Sequence, residues 1–513
     1  MNTSSNYYQN NRNILLLFVI FIISRIIYYK FFNITFDSFT LNFYWQYFPK
    51  DLLRNDLINS IIYNHFQAPF LNLLIGSLMK ITDHYIFILQ LIYLLCGFGS
   101  FVLIYLIAKN FEFKEKNSLL ITIILMVLPT SILYENHLYK EYLTFFFILL
   151  LFYSTFKIYS KSNSIKYVLL CAISLSLLSI TRETFHIFWG YLLIFFIRNK
   201  LDNLKKILLI LIFTISVLPF YVKNLILYDK FGINVSTIYE HLNQKIDYVK
   251  EMKDPKRHER LREIFFGSHE NYIQFTKKGS ILYDVPIYSP PSIYKKKLNY
   301  KNKYKNKLLN TNALFSEVLI EVDKYRKKDF FLILKEKPLL LILNVVNSIT
   351  RHLFFSSDHF SFTKHNADKM KPMIKISDCL KLTPICLYDF NFDKIIAFSN
   401  LDPNLPFETV ETGTLSYKEK ILYSFQYTNF LLVIIYLSLL LFLIKDLFIL
   451  KSKKIDSLIN FWLITFIYIF FTLVVFEDGE ISRHRFPFDY LCFLIFLKKL
   501  NTSSVLKKIQ INT

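Results

Sequence analysis

The chain has 513 residues, of which 53% are apolar and only 19% are charged, and its mean hydropathy is +0.33. A soluble domain is about 25% charged, and apolar runs of about 18 residues or more indicate membrane-spanning helices. Such runs recur along most of this chain, which excludes a soluble enzyme and a nucleic-acid-binding module. The net charge of +22 is then typical of basic cytoplasmic loops rather than of a polyanionic partner.

Ten apolar segments are predicted to span the membrane. They are, in chain order, 14–32, 85–108, 118–134, 142–157, 166–181, 185–198, 206–222, 422–444, 458–476 and 486–497. Two further apolar stretches, 66–82 and 338–355, are interrupted by polar residues and are predicted to lie at the interface without crossing. Lysine and arginine are about three times as frequent in the short loops on one side, which places both termini in the cytoplasm.

This topology divides the chain into three parts. Residues 1–222 form an N-terminal transmembrane module whose outer loop, 33–84, contains the juxtamembrane helix at 66–82. Residues 223–421 form an extracytoplasmic region with the interfacial helix at 338–355, and residues 422–513 form C-terminal transmembrane helices and a cytoplasmic tail. In the outer region, the lysine-rich stretch 295–307 is either a solvated loop or a contact with anionic headgroups. Cys379 and Cys386 could form a disulfide there, which their spacing does not decide.

Polar residues at the outer ends of the predicted helices are the candidates for chemistry. Singly, each has an ordinary explanation, Asp37 as a solvated loop acid and Trp45 as an aromatic residue of the interface belt. Together they place carboxylates, arginines, histidines and aromatic rings on one face of the bundle. A carboxylate can accept the proton of a hydroxyl group or hold a divalent cation, an arginine fork suits a phosphate, and aromatic faces suit sugar rings. This combination predicts transfer of a sugar from a phospholipid-type carrier at the outer leaflet.

Five segments carry a resemblance to a known family. They are Arg25 followed by Asp37-Ser38, His65 to Asn72, Glu135-Asn136, Lys223-Asn224 through Phe231-Gly232 to Ser236-Thr237, and Arg483 to Pro487. Their order resembles that in the membrane glycosyltransferases of the GT-C fold, specifically the dolichyl-phosphate-mannose–protein mannosyltransferases and the bacterial lipopolysaccharide-core sugar transferases. The family's first motif is usually Asp-Glu, and here Ser38 replaces the second acid. The resemblance implies an all-α polytopic bundle of about 10–12 transmembrane helices with juxtamembrane helices and a large extracytoplasmic loop region.

The resemblance also implies roles for individual residues. Asp37 would be the catalytic base or a metal ligand, and Glu135 would be a second catalytic acid. The donor phosphate would be bound by Arg182, Arg483 and Arg485. The substrate cavity would be lined by His65, Gln67, Trp45, Asn136 and Asn224. A divalent cation, Mg²⁺ or Mn²⁺, is an open alternative as cofactor, with Asp37 as its ligand.

The activity implied in this way is that of a hexosyl- or pentosyltransferase in a bacterial inner membrane, with its active site on the periplasmic face. Its partners would be a polyprenyl-phosphate sugar donor, a glycan, lipid or protein acceptor, and membrane lipids, but no nucleic acid. Two other functions stay open. A lipid-linked oligosaccharide flippase or transporter would need polar residues through the bilayer midplane and two related halves. A polysaccharide polymerase or ligase would suit the lysine-rich stretch 295–307.

Overall fold

The computed structural model of the chain describes residues 3–43, 47–48, 50–65, 67–160, 164–233, 364–383, 428–448, 454–476 and 481–502, and positions 331, 335, 338 and 339. These residues are mainly helical, and this part of the chain contains no β-strand beyond one isolated bridge. The helices are α1 Thr3–Phe31, α2 Thr40–Phe43, α3 Lys50–Asn55, α4 Leu57–Ile62, α5 Phe70–Ile81, α6 Tyr85–Asn110, α7 Glu115–Val127, α8 Pro129–Glu135, α9 Lys140–Tyr159, α10 Ile165–Thr181, α11 Ile187–Ile197, α12 Asn203–Tyr228, α13 Lys364–Ala367, α14 Lys371–Leu380, α15 Phe430–Phe448, α16 Lys454–Phe476 and α17 Ile481–Thr502.

Five of these helices are long and apolar enough to cross a membrane, namely α1 from Gln9 onward, α6, α9, α12 and α15. Helices α7 and α8 pass the same test only as a pair and are bent by 58°, so they form either a broken sixth span or a re-entrant loop. The bend has a local cause, because Pro129 begins α8 and its ring disfavours a helical conformation at Leu128, which is extended. The chain is therefore an all-α membrane protein. Segment 118–134 is two helices, and the described parts of the other nine predicted segments lie in or next to single helices. Helices α10, α11, α16 and α17 are not among those long and apolar enough to cross, so the count of ten crossings stays a prediction.

Several helices present apolar side chains to the outside of the bundle. Leu15, Ile23 and Ile26 of α1 are exposed, and so are Leu211 and Ile215 of α12. A water-soluble bundle would bury such faces against other elements. These faces are therefore expected to contact lipid.

Helix α5 lies within the segment 66–82 that was predicted not to cross. Its 12 residues rise about 18 Å at 1.5 Å per residue, less than the roughly 30 Å of a hydrocarbon core. Leu71, Ile75 and Met79 follow the helical repeat and are buried, whereas Lys80 and Ile81 are exposed. This helix is short and amphipathic, and its juxtamembrane position stays a prediction. Of the second interfacial prediction, 338–355, only positions 338 and 339 lie within the described residues.

The core of the bundle is built around α9, which is buried along most of its length. Aromatic rings fill the space between α9 and its neighbours: the ring of Phe152 packs edge-on against Trp462 of α16, with 5.4 Å between centroids. On the side of α17, Phe486 stacks on Tyr134 of α8 at 4.1 Å. The Phe486–Tyr134 contact holds the ends of α8 and α17 together at the end of the bundle where the predicted site residues lie.

A segment of the predicted outer region, 364–383, packs against this same end. The side chain of Asn366 accepts a hydrogen bond from the Thr35 amide at 3.2 Å and donates one to the Thr35 carbonyl at 2.8 Å. Met370 and Ile374 join a small apolar cluster with Tyr28 and Ile132. The loop after α1 and the segment 364–383 therefore lie on one side of the bundle. Cys379 is exposed in this segment, whereas Cys386 and the stretch 295–307 lie outside the described residues.

Candidate active site

Asp37 is held by backbone pairing with the turn after α8. Its amide donates to the carbonyl of Asn136 at 2.8 Å, and its own carbonyl accepts from the amide of Leu138 at 2.8 Å. These two hydrogen bonds form an isolated parallel β-bridge between Asp37 and His137. The bridge fixes the backbone of the first outer loop against the N-terminal end of α9, although the two segments are 100 residues apart in the chain.

The Asp37 carboxylate is mostly enclosed but retains some contact with solvent. Oδ1 accepts a hydrogen bond from the amide of Phe39 at 2.9 Å, and Oδ2 lies 3.5 Å from Nδ1 of His137. Burial acts to raise the pKa of Asp37, but the His137 ring and the Phe39 amide outweigh it and hold the pKa below its ordinary value. Asp37 is therefore ionised at neutral pH, and 12% of its side chain stays exposed.

His137 is the buried neighbour of this carboxylate. Only 2% of its side chain is exposed, and its ring stacks on that of Tyr139 with 5.4 Å between centroids. Neither ring nitrogen makes a hydrogen bond of good geometry within the described residues. A buried imidazole without such bonds is unusual, so its position beside Asp37 calls for a functional explanation.

Glu135, the last residue of α8, is buried, and both of its carboxylate oxygens accept hydrogen bonds. Its two carboxylate oxygens accept from Nε and Nη2 of Arg25 at 2.8 and 2.7 Å, and Oε2 also accepts from the Tyr142 hydroxyl at 2.8 Å. Arg25 and Glu135 are both buried, and the guanidinium lies 4.0 Å from the centroid of the Phe21 ring. This geometry is that of a buried ion pair joining α1 to α8, rather than of an acid that faces a substrate.

Asn136 also connects α8 to α1. Its Oδ1 accepts from the Tyr29 hydroxyl at 3.0 Å, and its Nδ2 donates to the Ile132 carbonyl at 2.9 Å. The side chain thus ties the end of α8 to α1, and its backbone carbonyl takes the amide of Asp37. Asn136 therefore positions the Asp37 bridge.

Two of the three predicted arginines form ion pairs with carboxylates. Arg182 follows α10 and donates from Nη2 to Glu141 at 2.9 Å, and its Nη1 contacts Nδ1 of His484. Arg485 donates from Nε to both oxygens of Asp489, at 3.0 and 3.2 Å. Both arginines are buried. Arg483 lies in the first turn of α17, but its side chain is outside the described part, as is Trp45.

The predicted cavity residues His65 and Gln67 lie in the turn that precedes α5. Asn64 closes this turn by donating from Nδ2 to the Gln67 carbonyl at 2.6 Å, while its Oδ1 accepts from the Gln67 amide at 3.2 Å. The His65 ring is buried and packs edge-on against Tyr228 at 5.0 Å. Asn224 of α12 is buried and caps the following loop, because its Nδ2 donates to the carbonyls of Gly232 and Ile233 at 2.6 and 3.0 Å.

The residues around Asp37 do not decide whether a divalent cation binds there, so the cation stays a prediction. One carboxylate oxygen of Asp37 is taken by the Phe39 amide, and Mg²⁺ or Mn²⁺ prefers several oxygen ligands. Nowhere in the described ranges do three His, Cys, Asp or Glu side chains converge as metal ligands.

Several residues of the site were not predicted as such from the sequence. They are His137 in the turn after α8, Lys140 and Glu141 at the start of α9, and Asp489 in the interior of α17. Their closeness in sequence to predicted residues could have identified them. The contacts between site residues could not be predicted in this way, because partners such as Arg182 and His484 are 302 positions apart in the chain.

No protein-family model, no curated protein and no solved structure matches this chain.

Proposed function

We propose that the chain is an integral-membrane glycosyltransferase of the GT-C type, which transfers a sugar from a polyprenyl-phosphate-linked donor to a glycolipid, polysaccharide or protein acceptor. In this proposal the end of the bundle that holds Asp37 faces the periplasm, and all ten predicted segments cross a bacterial inner membrane. The proposal rests on the sequence resemblance together with the arrangement at Asp37.

The observation that carries the proposal is a charged, partly accessible carboxylate, that of Asp37, in the loop after α1, whose backbone is fixed by hydrogen bonds. Asp37 is ionised, since its pKa is held below the ordinary value by His137 and the Phe39 amide. Its peptide group is fixed on both sides by the bridge to residues 136–138. A general base must be held in place and deprotonated before it can accept a proton from a hydroxyl group.

In the proposed reaction, the acceptor hydroxyl oxygen attacks the anomeric carbon of the donor sugar. The bond between that carbon and the phosphate oxygen breaks, so polyprenyl phosphate leaves with the bonding electron pair. The proton of the hydroxyl group passes to the carboxylate of Asp37. His137, 3.5 Å from Oδ2, positions the carboxylate during this step.

The other predicted residues then have supporting roles in this proposal. Glu135 and Arg25 anchor α8 to α1, and Asn136 holds the bridge. Arg182, with Glu141 and His484, joins the ends of α9, α10 and α17. These groups fix the geometry around Asp37 instead of taking part in the transfer.

The test combines a deletion strain with variant proteins. Mass analysis of surface glycans and glycolipids from cells that lack the chain identifies the sugar that is missing, and the wild-type chain should restore it. Asp37→Asn keeps the size of the side chain but removes the base, so transfer by the purified variant should fall about 10²–10⁴-fold.

The matched control is Asp83→Asn. Asp83 lies in the same outer loop, but it is 87% exposed and pairs only with the exposed Arg54 among the described residues. This variant should transfer the sugar at the wild-type rate. Full activity of a correctly folded Asp37→Asn variant would remove the base from the mechanism and favour a flippase.

A further inference from the structure

The exposed side of helix α14 is apolar along one edge and basic along another. Ile376 and Leu380 are 56% and 62% exposed, and they are neighbours on the helix surface because they are four residues apart. Lys371 and Lys375 have the same spacing and are also exposed. Ile374 is buried on the side that faces the bundle. Apolar side chains next to lysines on one helix are typical of an element that lies in a membrane interface.

The start of α14 is fixed near the level at which α1 ends. The candidate membrane span of α1 extends to Phe31. The ammonium of Lys369, two residues before α14, donates a hydrogen bond to the Asn33 carbonyl at 3.0 Å. Ile374 belongs to the same apolar cluster as Tyr28, which lies about one turn before the end of α1. The start of α14 is therefore close to the boundary between lipid and water.

The end of α14 is fixed where another apolar helix begins. The carbonyl of Lys381, directly after α14, accepts a hydrogen bond from the Leu431 amide at 3.2 Å. Leu431 is in the first turn of α15, which is long and apolar enough to cross a membrane. The ten residues of α14 rise only about 15 Å. Because the helix connects the end of α1 to the beginning of α15, it lies along the membrane boundary.

The apolar residues of this segment are suited to lipid. Leu382, after the helix, is 55% exposed, so three large apolar side chains are exposed within seven residues. Exposed apolar groups that are bordered by charged residues mark a membrane or protein contact. Ile26 and Phe31, near the end of α1, are also exposed. The neighbour expected at this level of the bundle is therefore the lipid leaflet.

The charges of the segment indicate which lipids it contacts. Residues 364–383 contain five lysines and two aspartates, which is unusual on the side of a membrane that carries few basic residues. Lys371 lies 3.3 Å from Asp368, and both side chains are more than one-third exposed. An exposed pair of this kind contributes little free energy, so Lys371 can also contact a lipid headgroup. An excess of lysines favours anionic headgroups.

We propose that the exposed side of α14 is a docking surface for anionic phospholipids of the leaflet at this end of the bundle. Ile376 and Leu380 insert among the acyl chains, and Lys371 and Lys375 extend to the headgroup phosphates. The loop that carries Asp37 is bonded to this segment, so the helix holds that loop at the surface of the leaflet. The inference does not rest on sugar transfer, and its test needs no substrate.

The test is fluorescence quenching of the purified full chain in nanodiscs of phosphatidylcholine and phosphatidylglycerol. In a cysteine-free background, a bimane label is attached through Ile376→Cys, Leu380→Cys or, on the basic edge, Lys371→Cys. Lipids with a nitroxide on the acyl chain should quench the labels at 376 and 380 at least about twofold more strongly than iodide in the buffer does. The label at 371 should show the reverse order.

Three outcomes would overturn the proposal. Stronger quenching by iodide at 376 and 380 would place this side of the helix in water. Protection of both labels from both quenchers would show that protein covers it, either a second copy of the chain or another part of the same chain. Stronger quenching by lipid at 371 would contradict the orientation assigned to the helix.

The role of the lysines is measured with the label at 376 and the nitroxide on either phosphatidylglycerol or phosphatidylcholine. Phosphatidylglycerol should quench at least about twofold more strongly, because lysines attract anionic lipid. The double substitution Lys371→Gln and Lys375→Gln should bring the ratio to about one. The control Lys80→Gln, which removes an exposed lysine of α5, should leave the ratio unchanged. Equal quenching by both lipids before any lysine is replaced, or the same loss with Lys80→Gln, would contradict an anionic-lipid surface on α14.

Discussion

The buried pair of Arg25 and Glu135 allows a direct test of whether Glu135 supports the fold or takes part in catalysis. Glu135→Gln removes the negative charge and leaves the Arg25 guanidinium buried between α1 and α8 without a counter-ion. Removing one partner of a buried ion pair costs about 3–5 kcal/mol, a large part of the roughly 5–15 kcal/mol by which folded proteins are stable. The free energy of unfolding, measured in mixed detergent micelles, should fall by that amount.

A compensated variant completes this test. The triple substitution Arg25→Met, Glu135→Leu and Tyr142→Phe removes both charges and the hydroxyl that donates to Glu135 at 2.8 Å. Replacing a buried pair by apolar residues of similar volume is often neutral or stabilising, so this variant should unfold at close to the wild-type free energy. It should also retain sugar transfer, because Glu135 is proposed to act only through the fold.

The exposed pair of Arg54 and Asp83 provides the matched control. Its side chains are 47% and 87% exposed, and an exposed pair contributes about 0–1 kcal/mol, so Asp83→Asn should hardly change the unfolding free energy. Glu135→Gln with wild-type stability would refute the burial argument. A stable triple variant without transfer activity would instead show that Glu135 belongs to the reaction.

Three other predictions follow from the packing and the charges. Gly97→Ala should lower the unfolding free energy by about 1–3 kcal/mol, because a Cβ at that position would collide with the carboxylate of the buried ion pair; wild-type stability would show that α6 can move away. His137→Leu removes the group that lowers the pKa of Asp37, so burial would raise that pKa and the acid limb of the transfer rate should move to higher pH; an unmoved limb would contradict the positioning role. In a cysteine-free background, thiol labelling should place cysteines at 160 and 371 on opposite sides of the membrane, and labelling from the same side would contradict the topology.

Much of the local structure follows from the sequence alone. The apolar runs predict the helices because a helix in lipid must be apolar and must satisfy its own backbone hydrogen bonds. The polar interruptions of 66–82 predicted the short helix α5. The break between α7 and α8 was not predicted, because 118–134 was predicted as one span, although Pro129 is its local cause. The sequence also predicted that the polar segments lie at one end of the helix bundle. Asp37, Glu135 and Arg182 do lie at one end of it. The assignment to the GT-C family stays a resemblance.

The partners of the polar groups were decided by the tertiary structure. The sequence places Arg25 in the first apolar helix, but it does not show that Arg25 meets Glu135 across 110 positions of the chain. The same holds for Arg182 with His484, and for Lys140 and Lys223, which reach one turn from different helices. Local signals arise from neighbours a few residues away, whereas the choice of partner depends on how whole helices pack. For that reason the sequence could identify charged residues at the site, but only the packed bundle shows which carboxylate each buried arginine meets.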